Sequence, residues 1–198
     1  VQQYHLEHPQ SSGGIVSFDT YLLDTDRLSS AVRHLIDRHE LLRSVLVQTD
    51  GRWEWEVLPT PEQIEIPILD LSDYPADRQK QLISWMLPQF FLKPYEVTGS
   101  LLYRIALVRL NLREHLLVLP CSHIIYDGMS GNVIKSELHR DYADIDNAPS
   151  IWTGNYRDYV YQIRKGPQGM NDQQISDEFR LPALAKSVDA LAHAVSNR

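Results

Sequence analysis

The 198-residue chain has a single cysteine, Cys121, which excludes a disulfide framework within it and fits a reducing cytoplasm. It also lacks a basic surplus: 19 lysines and arginines stand against 26 acidic residues, for a net charge of −7. No basic run offsets that balance, so a nucleic-acid surface is not expected. No apolar stretch approaches the roughly 20 residues of a membrane span, and no signal peptide is visible. His5, His8, His34, His39, His115, His139 and His193 lack metal-ligand spacing, so no metal site is expected. No internal repeat or low-complexity segment stands out. The chain begins at Val1 and not at a methionine, so its ends are treated as uninformative.

What the chain does have is apolar content, 43% of residues, enough for one sizeable core in a single domain. Periodicity predicts an α/β chain of strands and helices. Residues 1–14 are largely polar, end in Ser11-Ser12-Gly13-Gly14, and are expected to be a flexible lead-in. A strand over 15–23 follows. Asp24-Thr25-Asp26 then offers a cap to a helix over 27–40, whose stripe is Leu28, Ala31, Val32, Leu35 and Ile36. Strands over 43–48 and 52–58 flank an Asp50-Gly51 hairpin turn, with Trp53 and Trp55 on one packing face.

Pro59 and Pro61 break that pattern before a short strand at 64–69 and a loop at 70–77. A helix is expected over 78–91, with Leu82, Ile83, Met86 and Leu87 inward and Pro88 kinking or ending it. Residues 101–110 read as a long strand, turned at 111–114 into another over 115–121. A helix over 129–143 carries Val133, Ile134 and Leu138 as its apolar contacts. Residues 144–155 read as a loop, 166–169 as a break, and 166–198 as a tail with helical character.

Chemistry concentrates in residues 115–131, HLLVLPCSHIIYDGMSG. A strand delivers His123 to a loop, Asp127 lies four residues on, and Gly128 follows directly. Imidazole is the side chain whose ordinary pKa lies near neutrality, so it suits proton transfer from an attacking amine, hydroxyl or thiol. Asp127 then fixes the loop through backbone hydrogen bonds or a buried arginine, and Gly128 gives a turn that a side chain would hinder. Cys121, inside the strand, reads as a buried hydrophobe. Ser122 has no recognisable triad or oxyanion setting, so packing or hydrogen bonding is its expected role. Ser130 caps the next helix or bonds the loop.

Ser122-His123-Ile124-Ile125-Tyr126-Asp127-Gly128-Met129-Ser130 resembles the HHxxxDGxS signature of condensation domains in nonribosomal peptide synthetases. These belong to the chloramphenicol-acetyltransferase-like superfamily. Upstream, Arg38-His39-Glu40-Leu41-Leu42-Arg43 is similar to the family's RHExLR motif, in the right order and at roughly the right separation. Ser122 departs from the usual first histidine; the SHxxYDGxS form is similar to that of fungal terminal condensation-like domains, which release chains by cyclisation. The helix motif rich in Gln, Leu and Trp that usually opens the domain has no convincing copy here.

The resemblance implies the N-terminal lobe of such a domain over residues 15–165, an α/β half domain of the acetyltransferase-like fold with one mixed sheet flanked by helices. It implies that a C-terminal lobe, missing here, supplies the other wall of the channel. In the family, a carrier-bound acyl or peptidyl thioester is joined to a nucleophile, usually an amine on a second carrier. Peptidyl or acyl carrier proteins are thus the implied partners. No cofactor is bound directly; the carriers bring 4'-phosphopantetheine arms. His123 would be the catalytic residue, as general base or by positioning the nucleophile. Asp127 would pair with an arginine, Arg43 first and Arg38 as fallback. Two other readings remain: an inactive truncated lobe that binds carriers or neighbouring domains, and an acyltransferase that completes its channel by self-association.

Overall fold

The computed structural model describes residues 11–147. Residues 1–10 of the expected lead-in, residues 148–165 of the expected lobe and the 166–198 tail lie outside the described residues. The mixed sheet flanked by helices is what the structure has. Four strands run in the order β1, β6, β5, β4. They are β1 (Ser11–Asp19), β4 (Ile68–Asp70), β5 (Ala106–Arg109) and β6 (Glu114–Ser122). β6 pairs antiparallel with both β1 and β5, while β4 joins β5 in parallel. A separate hairpin is made by β2 (Ser44–Thr49) and β3 (Arg52–Val57), where Asp50 and Gly51 both take positive φ. Those paired positive values are what a two-residue hairpin turn requires.

β6 is the inner strand that the layers enclose. Its run from Leu117 to Ser122 is wholly buried, as an unbroken apolar stretch covered on both faces should be. On one face, Leu117, Leu119 and Cys121 join Leu28, Val32, Leu35 and Ile36 of α1 (Thr25–Arg38) and Ile134 and Leu138 of α3 (Gly128–Ala143). On the other, Val118 and Leu116 meet Leu82, Ile83, Leu87, Phe90 and Phe91 of α2 (Ala76–Leu92). The Asp24 carboxylate caps α1, accepting from the amides of Asp26 and Arg27 at 3.0 Å each.

Several boundaries differ from expectation, each for a physical reason. Residues 11–14, expected as the end of a flexible lead-in, already form β1, in register from Ser11 opposite Ser122 to Asp19 opposite Glu114. Gly13 lets the strands approach: at φ 140°, a Cβ there would stand 2.3 Å from the Leu119 carbonyl oxygen. The long strand expected over 101–110 keeps only β5 and an isolated bridge from Tyr103 to Cys121. Pro120 explains the gap. Its carbonyl accepts from the Arg104 amide at 3.0 Å, but without an N–H it cannot return the bond. α2 runs past Pro88 to Leu92, one residue beyond the expected end, so Pro88 does not end it, and Phe90 and Phe91 pack against the sheet. Its inward apolar side chains are half-buried, with none fully enclosed, while Trp85 and Leu92 are exposed.

Candidate active site

The histidine loop is built from residues anchored on both sides of an exposed histidine. β6 ends at Ser122, whose amide donates to the Leu102 carbonyl at 2.7 Å. The Ser122 carbonyl accepts from the Ile125 amide at 3.0 Å, and its Oγ accepts from the Ile124 amide at 3.3 Å. Ser122 is 0% exposed, so it acts as a buried staple of the turn. Ile124 reaches the cluster of Leu46, Tyr95 and Leu102, and Ile125 spans that cluster and the main core. Tyr126 is buried in the main core. His123, between these anchors, is exposed at the C-terminal end of β6.

Asp127 closes the loop as the N-cap of α3. Its Oδ1 accepts from the Ser130 amide at 2.9 Å and the Ser130 hydroxyl at 2.7 Å, while Ser130 Oγ accepts from the Asp127 amide at 3.2 Å. This reciprocal capping box satisfies donors that a helix start otherwise leaves open. The Ser130 hydroxyl and amide hold the Asp127 carboxyl below the usual carboxylate range.

The arginine partnership expected for Asp127 is not formed. Arg43 instead donates from Nη1 to the Leu58 carbonyl at 2.6 Å, tying down the chain just after β3. Arg38 turns to the far half of α3. Its Nε and Nη2 bond Glu137 Oε2 at 3.1 and 3.0 Å, and Nη2 also bonds Asp141 Oδ2. His39 Nε2 lies 2.8 Å from the same Glu137 oxygen. Asp127 is exposed and bonded locally by its own helix start, whereas Glu137 and Asp141 are buried carboxylates that require a cation. Burial pushes the Glu137 carboxyl up, but His39 and then Arg38 outweigh it and hold it below its usual range.

Gly128 also differs from expectation. It lacks a positive φ, opens α3 in its first turn, and would meet nothing within 4 Å if it carried a Cβ. The crowded glycine is Gly131, three residues later. Sequence reasoning missed Gly131, His39, Glu137 and Asp141. A signal for the last two was present: Ile134, Glu137, Leu138 and Asp141 share one helical stripe, which puts two carboxylates on a buried face. Cys121 is buried and its thiol is pushed up to about 12 by that burial.

Among the described residues, no group of three or more His, Cys, Asp or Glu side chains is placed to hold a metal. No helix among them is long and apolar enough to cross a membrane. A cleft of about 520 Å3 lies between α1 and residues 62–68, and it is lined by none of the motif residues.

An exposed histidine in a stapled loop at the end of an inner strand thus stands with a capping aspartate and a second motif that grips the following helix. The family model for the condensation domain matches residues 15–179, and the chain belongs to the condensation-domain family. It is 29% identical over 153 residues to surfactin synthase subunit 2 of Bacillus subtilis, covering 77% of this chain and 4% of that protein. It is 32% identical over 127 residues to tyrocidine synthase 3 of Brevibacillus parabrevis, covering 64% and 2%.

Among solved structures, the starter condensation domain of rhizomide synthetase superposes with a TM-score of 0.66 at 19% identity, covering 82% of this chain and 42% of that one. A cyclization-docking bidomain of a Sorangium cellulosum nonribosomal peptide synthetase gives 0.62 at 24% identity, covering 84% and 35%. These likenesses show the fold. The chain thus spans less than half of the solved domains it matches and a few per cent of the synthetases.

Proposed function

We propose that this chain is the N-terminal lobe of a condensation or terminal cyclising domain of a nonribosomal peptide synthetase. In that domain a carrier-bound acyl or peptidyl thioester is joined to a nucleophile, usually an amine. The carrying observation is the loop. Of residues 122–127, Ser122, Ile124, Ile125 and Tyr126 are anchored inward and Asp127 is committed to the helix cap. His123, exposed between them, carries the proton-transfer chemistry. Asp127, Ser130 and Ser122 hold it in place, and Arg38 and Arg43 stabilise the elements behind it.

Met129, 72% exposed, and Val133 share the outward face of the first two turns of α3, next to the loop. An apolar wall beside the histidine suits a channel closed by a second lobe. Carrier proteins deliver their substrates into it on 4'-phosphopantetheine arms. Holding both reactants there makes the encounter effectively intramolecular, which supplies much of the rate. The amine attacks the thioester carbonyl, the thiol of the donor arm leaves, and His123 takes or positions the proton lost by nitrogen.

The test is reconstitution of the domain containing this chain with a donor carrier loaded as a thioester and an acceptor carrier loaded with an amino acid. Mass spectrometry of the acceptor arm should show the amide, or a free cyclic product if the domain releases. Loaded carriers that yield neither would refute the reading.

A further inference from the structure

Gly14 and Gly131 lie on elements far apart in the chain, and the fold brings both against one side chain. Tyr126, 9% exposed, sits in the core with Val16, Phe18, Cys121 and Ile134, directly before the Asp127 cap. A Cβ on Gly131 would stand 2.4 Å from the Tyr126 hydroxyl oxygen and 3.4 Å from its Cζ. A Cβ on Gly14 would stand 3.6 Å from the same oxygen. Gly131 is inside α3 without a positive φ, a place where alanine is normally the better residue. Its backbone freedom is not used there; its missing side chain is.

We propose that Tyr126 is the positioning residue for His123. Its hydroxyl, seated against Gly14 of β1 and Gly131 of α3, sets how far the histidine loop stands from the first turn of the helix. Ile124 and Ile125 reach side-chain clusters that tolerate small slips. The phenol meets β1 and α3 at backbone, which does not yield. The role is one of shape: burial, then Cys121 and Asp127, push the phenol pKa up, so the group stays a neutral hydroxyl. What the position of His123 means for catalysis rests on the condensation reading above; the positioning itself does not.

The geometry supplies its own test, because a methyl on Gly131 would stand 2.4 Å from the hydroxyl oxygen, too close for two unbonded atoms. Removing that oxygen leaves Cζ at 3.4 Å, an ordinary contact. Gly131→Ala, Tyr126→Phe and the double variant are compared by thermal unfolding and by the NMR signal of the His123 ring, assigned through His123→Gln. Gly131→Ala alone should lower Tm and move the His123 signal. In the Tyr126→Phe background the same change should raise Tm by about 2 °C and return the signal to its wild-type position.

A Gly131→Ala chain that fails to fold while the double variant folds with the native signal carries the same meaning. A double variant as displaced as Gly131→Ala, or a Gly131→Ala chain with His123 unmoved, overturns the proposal. Amide formation by the domain containing this chain separates the two claims. If the His123 signal moves and the rate does not, the positioning stands and the catalytic reading of His123 fails.

Discussion

At the scale of single residues, Asp127 shows how a shared motif position can have a local job. Its carboxylate is bound by the Ser130 amide and hydroxyl, with neither Arg38 nor Arg43 bonded to it. Asparagine caps helices about as well as aspartate, so Asp127→Asn should change stability by less than about 0.5 kcal/mol. Asp127→Ala should cost about 1 kcal/mol. Urea unfolding measures both; a large loss in the asparagine variant would restore an arginine partnership. Local bonding by Asp127 was legible in the sequence, but the cap was expected from Ser130, which instead sits at the third helical position and returns the bond. The choice of Glu137 by Arg38 was not, because it depends on how α1 and α3 pack.

At the scale of elements, α3 is held at both ends by different means. The capping box fixes its start, and the Arg38 and His39 side chains fix its later turns through Glu137 and Asp141. Arg38 and Asp141 are 8% and 0% exposed, so Arg38→Ala takes the buried guanidinium from both carboxylates and leaves only His39 on Glu137 and the more exposed Arg140 on Asp141. The expected cost is about 3–5 kcal/mol, read by denaturant unfolding, and a cost under 1 kcal/mol would mean that water reaches the cluster.

The same cluster gives a pH dependence. Glu137 has a folded pKa below its ordinary 4.5, so its contribution is fully present above that value and is lost as pH falls through the folded one. Tm should therefore drop on acidification below about pH 4.5, and Glu137→Gln should flatten that drop. An unchanged acid limb in the variant would place the titrating group elsewhere. Element types were legible from periodicity. Their ends were set by partners: Pro120 on β6 shortened β5, and Phe90 and Phe91 carried α2 past Pro88.

At the scale of the molecule, three layers converge on one strand end. α1 and α3 cover one face of the sheet, α2 the other, and β6 passes between them to present the loop. The mixed-sheet fold and the family were legible because both rest on short motifs and on repeated apolar spacing. The layer arrangement was not, since it depends on which faces of the helices meet the sheet.

Single-turnover amide formation by the domain containing this chain, with both carriers loaded and His123 changed to alanine, tests the central claim most directly. General base or nucleophile-positioning action by this histidine predicts a fall of about 10²–10⁴-fold with folding unchanged by circular dichroism. A wild-type rate in the folded His123→Ala domain would contradict it and move the chemistry away from this loop.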